Sequence, residues 1–302
     1  MEYEPPFARP PHEEYNHQVL TERTPPEARL MITKKQISSQ QLTAKTDAVP
    51  RLAIAKIGIV SRDYTLKYSN GFRDFSAALP GALALLDKEG CDTVLFSLFS
   101  IVPRRSFRTF RSIQLHNIKS ILYEEFTDGT KRKAGRYVVL HRKANTWHQY
   151  VLHQKFGSLT DVKKKTILEF VRDEIPQRIL GNGCVLLCGE TNGVKYSPKH
   201  KSVQDDFGLR QSLPREVTVI LNPIHDRMTR FEMKLKRRFL SENDRWVVSV
   251  WNKGKQDKNG RVRDGNGPAW TIFRNGKQKE IVVEPIPNQT GLEIGVLEIQ
   301  GA

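Results

Sequence analysis

The chain of 302 residues carries 49 Lys and Arg against 33 Asp and Glu, a formal net charge of +16. With 38% hydrophobic residues and a mean hydropathy of −0.51, it has the composition of a water-soluble protein with one large core or two modest ones. No run approaches the ~18 apolar residues of a membrane span, and three irregularly spaced cysteines make neither a disulfide framework nor a zinc site.

Residues 1–50 read as an extended or disordered arm. Seven prolines (Pro5, Pro6, Pro10, Pro11, Pro25, Pro26 and Pro50) and few large apolar side chains cannot build a core there. The opening Met1-Glu2-Tyr3-Glu4-Pro5-Pro6 has neither the basic start nor the apolar stretch of a secretory signal, so the expected location is the cytoplasm. The arm holds six basic and seven acidic residues, so the body, 51–302, carries about +17. A field of that sign attracts polyanions such as nucleic acid or an acidic protein. No helix-turn-helix, zinc finger or RNA-binding strand motif accompanies it.

The body opens with Leu52-Ala53-Ile54-Ala55-Lys56-Ile57-Gly58-Ile59-Val60, an apolar run expected to be a buried strand. Phe72, Phe75, Leu79, Leu83 and Leu86 then recur at three- and four-residue steps, which predicts a helix over 72–88 despite Pro80. Cys91–Phe96 is the next strand, and strand–helix–strand is the signature of a layered α/β fold. Short strands are predicted around 120–123, 137–141 and 150–153, and a short helix over 163–172. Buried strands follow at 185–188 and 217–221, then an amphipathic helix over 228–243 and a strand at 246–251. The tail offers 269–273, the turn Asn275-Gly276, 280–283 and a last strand at 292–299.

Val185-Leu186-Leu187-Cys188-Gly189-Glu190 places a thiol where an apolar strand meets a glycine-containing loop. That arrangement aims a sulfur and a backbone N–H at one carbonyl, which suits thiol attack on an acyl group. A cysteine in an apolar strand serves equally as a small core residue. The surrounding sequence decides between the two.

Taken in order, three segments resemble the nitrilase superfamily of carbon–nitrogen hydrolases, over roughly 52–299. They are Val185–Glu190, similar to the family's strand–Cys–x–acid element; Arg237-Arg238-Phe239-Leu240-Ser241-Glu242-Asn243 with Trp246–Asn252, similar to its helix ending in Glu-Asn and its strand ending in Asn; and Gly267–Gly276, similar to its glycine-containing lead-in to a hairpin. The resemblance implies an α-β-β-α sandwich of two mixed sheets with outer helices, self-association into an oligomer, and no cofactor or metal. It implies a Glu–Lys–Cys triad acting on amides or nitriles. Cys188 matches the nucleophile, Gly189 the backbone donor to the oxyanion, Lys155 the lysine at a strand end, and Glu190 the family's acid beside the cysteine.

The general-base glutamate has no counterpart. Ser97-Leu98 stand where the family has Pro-Glu, and no acid occurs between Asp92 and Glu124. Glu124 and Glu125 reach the site only if their loop folds inward, and His148 and His153 flank Lys155 as candidate partners of the thiol. Pro103–Arg111 interleaves Arg104, Arg105, Arg108 and Arg111 with Phe107 and Phe110, a pattern that can hold phosphates and stack bases. Two expectations follow: a thiol-dependent hydrolase or acyltransferase with an altered triad, or an inactive nitrilase-fold scaffold. The scaffold would bind nucleic acid or a protein partner through its basic loops, as in the phage-defence systems where such domains accompany reverse transcriptases.

Overall fold

Strand periodicity and helix periodicity alternate along the body, and the chain resolves them into two sheets packed face to face. The computed structural model describes residues 49–62, 78–98, 100–101, 110, 113–125, 136–144, 146–157, 162–225, 231–254, 267–281, 283–285 and 291–299. All of them belong to one unit, Ala44–Ala302. Residues 1–48 of the expected arm, 72–77 of the expected 72–88 helix, and Arg104, Arg105, Arg108 and Arg111 lie outside the described residues.

The first sheet takes the order β14-β15-β1-β2-β3-β4-β5. Its strands are β1 (Lys56–Arg62), β2 (Thr93–Phe96), β3 (Ser120–Glu125), β4 (Arg136–Lys143), β5 (Thr146–Leu152), β14 (Val283–Pro285) and β15 (Leu292–Glu298). The second is β13-β12-β11-β10-β7-β6, built from β6 (Ile179–Leu180), β7 (Gly183–Val185), β10 (Val219–Pro223), β11 (Trp246–Val250), β12 (Trp270–Arg274) and β13 (Lys277–Lys279). A small hairpin, β8 (Lys195–Ser197) with β9 (Ser202–Gln204), stands apart. Both large sheets are mixed: β1, β2 and β3 run parallel, as do β7, β10 and β11, and the flanking strands are antiparallel.

Strand alternation sorts the apolar residues into three layers. Ile57, Ile59, Leu95, Leu122 and Val139 of the first sheet meet Val185, Leu221, Val248 and Ile272 of the second in the central layer. Val60, Val94, Phe96 and Ile121 point the other way, onto Leu79, Ala82, Leu83 and Leu86 of α1 (Leu79–Lys88). Cys184, Leu186, Ile220, Val247 and Phe273 face an outer helical layer holding Phe170, Ile175 and Leu240. That layer consists of α2 (Lys164–Glu169), continued by a π-helical turn (Phe170–Glu174) into α3 (Ile175–Arg178), and of α4 (Phe231–Leu240). The result is the expected α-β-β-α sandwich of two mixed sheets with outer helices. Pro80 sits in the first turn of α1, where its missing N–H costs nothing. Gly58 lets α1 press onto β1, because a Cβ there would stand 2.7 Å from the Leu86 side chain.

Two polar anchors set the levels of the strands. The Asn182 side chain accepts from the Ile54 N–H at 2.8 Å and donates to the Ile54 carbonyl at 2.9 Å, joining the approach to β1 to the β6–β7 turn. Asp87 at the end of α1 accepts from the N–H groups of His116, Asn117 and Ile118, fixing the segment that enters β3. Burial would raise its carboxyl, and these backbone donors bring it below the ordinary carboxylate range. Among the described residues no helix is long and apolar enough to cross a membrane.

Candidate active site

The expected strand over 185–188 ends early. β7 stops at Val185, and Cys188 opens a 3₁₀ turn, Cys188–Gly193, with φ of +25°. A positive φ at a non-glycine residue is strained, and such strain persists where the surroundings over-determine it. Here the next residue does so. A Cβ on Gly189 would lie 1.9 Å from the Gly157 carbonyl oxygen, so only glycine lets the turn dock against that backbone. Asn192 donates to the same oxygen at 2.8 Å and accepts from Lys236 Nζ at 2.8 Å. Lys236 is nearly buried, and that burial holds its ammonium below the ordinary lysine range.

Glu190, two residues past the thiol, is fully buried and braces this turn from beneath. Its carboxylate accepts from the N–H groups of Leu187 (2.8 Å) and Lys155 (2.9 Å) and from the Arg178 guanidinium (2.8 Å). Burial pushes the carboxyl up to about 7 against the opposing pull of Arg178 and the two backbone donors. The contacts make Glu190 a clamp between the strand end at Lys155 and the turn at Cys188. The Lys155 ammonium pairs with Glu174 Oε1 at 2.6 Å and is half exposed, so only its backbone takes part in this clamp.

The groups around the thiol come from elsewhere in the chain. β7 and β10 are parallel and pair Val185 with Leu221, so Cys188 and Ile224 leave the sheet at one level with His225 next in line. Cys188 packs on the cluster of Ile224, Trp251 and Ala269. His225 Nε2 contacts Glu124 at 3.1 Å and 3.4 Å from its two carboxylate oxygens, and its ring lies beside Cys188. The ring is 17% exposed and the carboxylate 5%, so neither bond is diluted by bulk water. Burial alone would lower the His225 pKa; the hydrogen bonds to Cys188 and Glu124, with the charges of both, push it up to about 9.

Glu124 reaches the site from the opposite sheet. β3 extends to Glu125, two residues beyond the expected strand, so alternation turns Glu124 to the same inner face as Leu122. The carboxylate therefore comes from a strand and needs no infolded loop. Across β4 it faces Tyr137, whose phenol burial and the Glu124 charge push well above its ordinary range. Ser97, just past β2, donates its hydroxyl to Asn252 Oδ1 at 2.6 Å, while Asn252 Nδ2 donates to the Leu98 carbonyl at 2.7 Å. Ser97-Leu98 thus closes the end of β2 against the end of β11.

A buried cation completes the surroundings. Arg237 of α4 is fully buried and donates to Thr271 Oγ1 at 2.8 Å. Burial lowers its guanidinium to about 9, and attraction to Cys188 opposes that fall. Of the residues singled out in the sequence, Cys188, Gly189 and Glu190 share one turn with the Lys155 backbone. His148 lies on β5 directly opposite His141, and the His153 carbonyl accepts from Arg178. His225 and Arg237 went unmarked in the sequence. The signal for His225 is its place just past a buried apolar strand, Val217–Leu221, parallel to the cysteine strand.

No protein-family model matches the sequence, and no curated protein matches it. Among solved structures, a carbon–nitrogen hydrolase from Helicobacter pylori is similar at 10% identity with a TM-score of 0.42, over 82% of this chain and 89% of that one. An amidase mutant from Nesterenkonia in complex with acrylamide is similar at 11% identity and TM-score 0.45, over 84% and 96%. A glutamine-dependent NAD(+) synthetase from Cytophaga hutchinsonii is similar at 10% and 0.41, over 76% of this chain and 40% of its own length.

Proposed function

We propose that the protein is a thiol-dependent hydrolase or acyltransferase acting on an amide-type carbon–nitrogen bond, with Cys188, His225 and Glu124 in place of a Glu–Lys–Cys triad. The observation that supports it most is His225, which contacts Glu124 through Nε2 and lies beside Cys188. With Glu124 accepting from Nε2–H, Nδ1 is the nitrogen that exchanges a proton with the thiol. Its basicity, raised to about 9, makes the imidazole a ready acceptor for a thiol proton.

In the first half-reaction Cys188 Sγ attacks the carbonyl carbon as its proton passes to His225. An S–C bond forms and the carbonyl π electrons move to oxygen. The Gly189 N–H, directly after the nucleophile, is the natural donor to that oxyanion, and the buried Arg237 charge favours negative charge at the same place. Collapse breaks the C–N bond, and the His225 proton leaves on the amine nitrogen. In the second half-reaction water, or an acceptor amine, gives its proton to His225 and attacks the thioester carbon. The C–S bond then breaks and the proton returns to the thiol.

The test is acylation by p-nitrophenyl acetate with intact-mass detection, followed by ammonia release from a panel of primary amides. A stoichiometric burst of p-nitrophenol, with the acetyl group mapped to Cys188 and absent from Cys188→Ala and His225→Ala, is the expected result. Acetylation spread over lysines, or a burst that survives in Cys188→Ala, overturns the reading.

A further inference from the structure

The other end of the sandwich holds a second concavity whose chemistry the thiol site does not use. Ser120 and Glu124 lie at opposite ends of β3, about 13 Å apart at the ordinary strand rise. Ser120 pairs with His141 on β4, and its hydroxyl contacts His141 Nδ1 at 3.0 Å. His141 faces His148 directly across β5. Beside them opens a cavity of about 450 Å³ lined by Arg51, His141, Lys143, His148, Gln149 and Tyr150, with Val49 and Pro50 at its margin.

Three features define what this cavity can take. Apart from the Tyr150 phenol its titratable lining is cationic or imidazole, with no carboxylate among the described lining residues. Its walls are built. Leu52, next to Arg51, exchanges backbone hydrogen bonds of 3.2 Å with Leu180 and Asn182, and Tyr150 donates its hydroxyl to the Gln177 carbonyl at 2.9 Å. Its size falls within the ~300–1,000 Å³ of ordinary small-molecule sites and far exceeds the ~30 Å³ share of a single water.

Arg51 and Lys143 share this space with the facing pair His141 and His148. Burial first, then the facing His148 and nearby Lys143, hold His141 below its ordinary range. Arg51 and Lys143 are exposed and stand at its mouth. A guanidinium fork, an ammonium and imidazole N–H groups are the donors that hold phosphate oxygens. Tyr150 and Gln149 offer a ring face and an amide to the remainder of a ligand.

We propose that this cavity binds a small phosphate-bearing molecule of nucleotide size. Arg51, Lys143 and the His141–His148 pair hold its phosphate, and its body lies toward Tyr150. The site is separate from Cys188 and stands whether or not the thiol is catalytic.

Isothermal titration of the full chain at low salt tests it, with AMP and inorganic phosphate as probes. AMP is expected to bind one to one with Kd below about 1 mM, and inorganic phosphate to compete more weakly, because it lacks the body that fills the cavity. The Arg51→Gln/Lys143→Gln double variant should weaken AMP by roughly tenfold or more. Its substitutions are at exposed positions, and an unchanged melting curve verifies the fold. Lys199→Gln, on an exposed turn elsewhere, and Cys188→Ala should bind AMP as wild type does. No AMP heat up to about 5 mM, affinity unaltered in the double variant, loss of binding in Cys188→Ala, or binding of a short oligonucleotide but not AMP each overturns the assignment.

Discussion

Replacing Glu124 with Gln removes the charge behind His225 while preserving shape and one acceptor oxygen. The carboxylate is 5% exposed and 3.1 Å from Nε2, and it is one of the two partners that carry the His225 pKa from an ordinary 6.5 up to about 9. The other partner is Cys188 itself. Losing the Glu124 share should cost His225 about 1.5 pH units of basicity. The fraction of the pair present as thiolate and imidazolium depends on the difference between the two groups' affinities for the proton. Each unit lost by the imidazole therefore lowers that fraction by up to tenfold, and Glu124→Gln should slow thiol alkylation severalfold, by at most roughly thirtyfold, near neutral pH. The assay is iodoacetamide labelling between pH 5 and 10, read by peptide mapping. Cys91 and Cys184 are internal controls, because burial pushes both thiols up to about 12 and both are fully buried. If the Cys188 rate profile of Glu124→Gln overlies that of wild type within about twofold, the carboxylate does not govern the histidine and the triad reading is wrong.

The same histidine makes stability depend on pH. A folded-state pKa raised to about 9 means that the stabilisation from the charged ring, facing Glu124 and Cys188 with Arg237 nearby, is complete below about 6.5 and lost as the pH rises through 9. The loss is on the order of 3 kcal/mol at most, and urea titrations at pH 6 and pH 9.5 should reveal it in wild type and not in His225→Gln. Glu190→Gln tests the clamp. It leaves the Arg178 guanidinium, 1% exposed, without its counter-charge, and should cost about 3–5 kcal/mol by chemical denaturation. A loss below about 1 kcal/mol would remove Glu190 from its structural role.

The parts of this molecule written in local periodicity were legible in the sequence. Ile57 and Ile59 on one face of β1 and Val60 on the other fix a strand with cover on both sides, and Leu79, Leu83 and Leu86 fix the face of α1. Cys188 was legible through its strand-to-glycine junction. Its departure from strand geometry two residues after Leu186 was not, because the cause is a backbone contact with Gly157, thirty-two residues earlier in the sequence. His225 and Glu124 are 101 residues apart and meet only because the two sheets pack face to face. No spacing rule relates residues on different sheets. Arg237 sits in a run of basic residues on an amphipathic helix, where the pattern predicts a solvated face, yet it is the one turned wholly inward to Thr271.

The position of the acid explains why a histidine belongs between it and the thiol. β2 and β3 are parallel neighbours that pair Leu95 with Leu122, so Ser97 and Glu124 stand at one level on the same inner face, one strand apart. Neighbouring strands lie roughly 4.8 Å apart across the sheet. Ser97 itself is fully buried and bonded to Asn252. On the proposed reading the acid acts on the thiol across a gap that His225 fills. An imidazole spans such a gap, since its two nitrogens accept on one side what they release on the other. His225 supplies that bridge from the strand next to the cysteine. On the proposed reading the thiol, the imidazole and the carboxylate act as one relay, so that removing any one of them disables it.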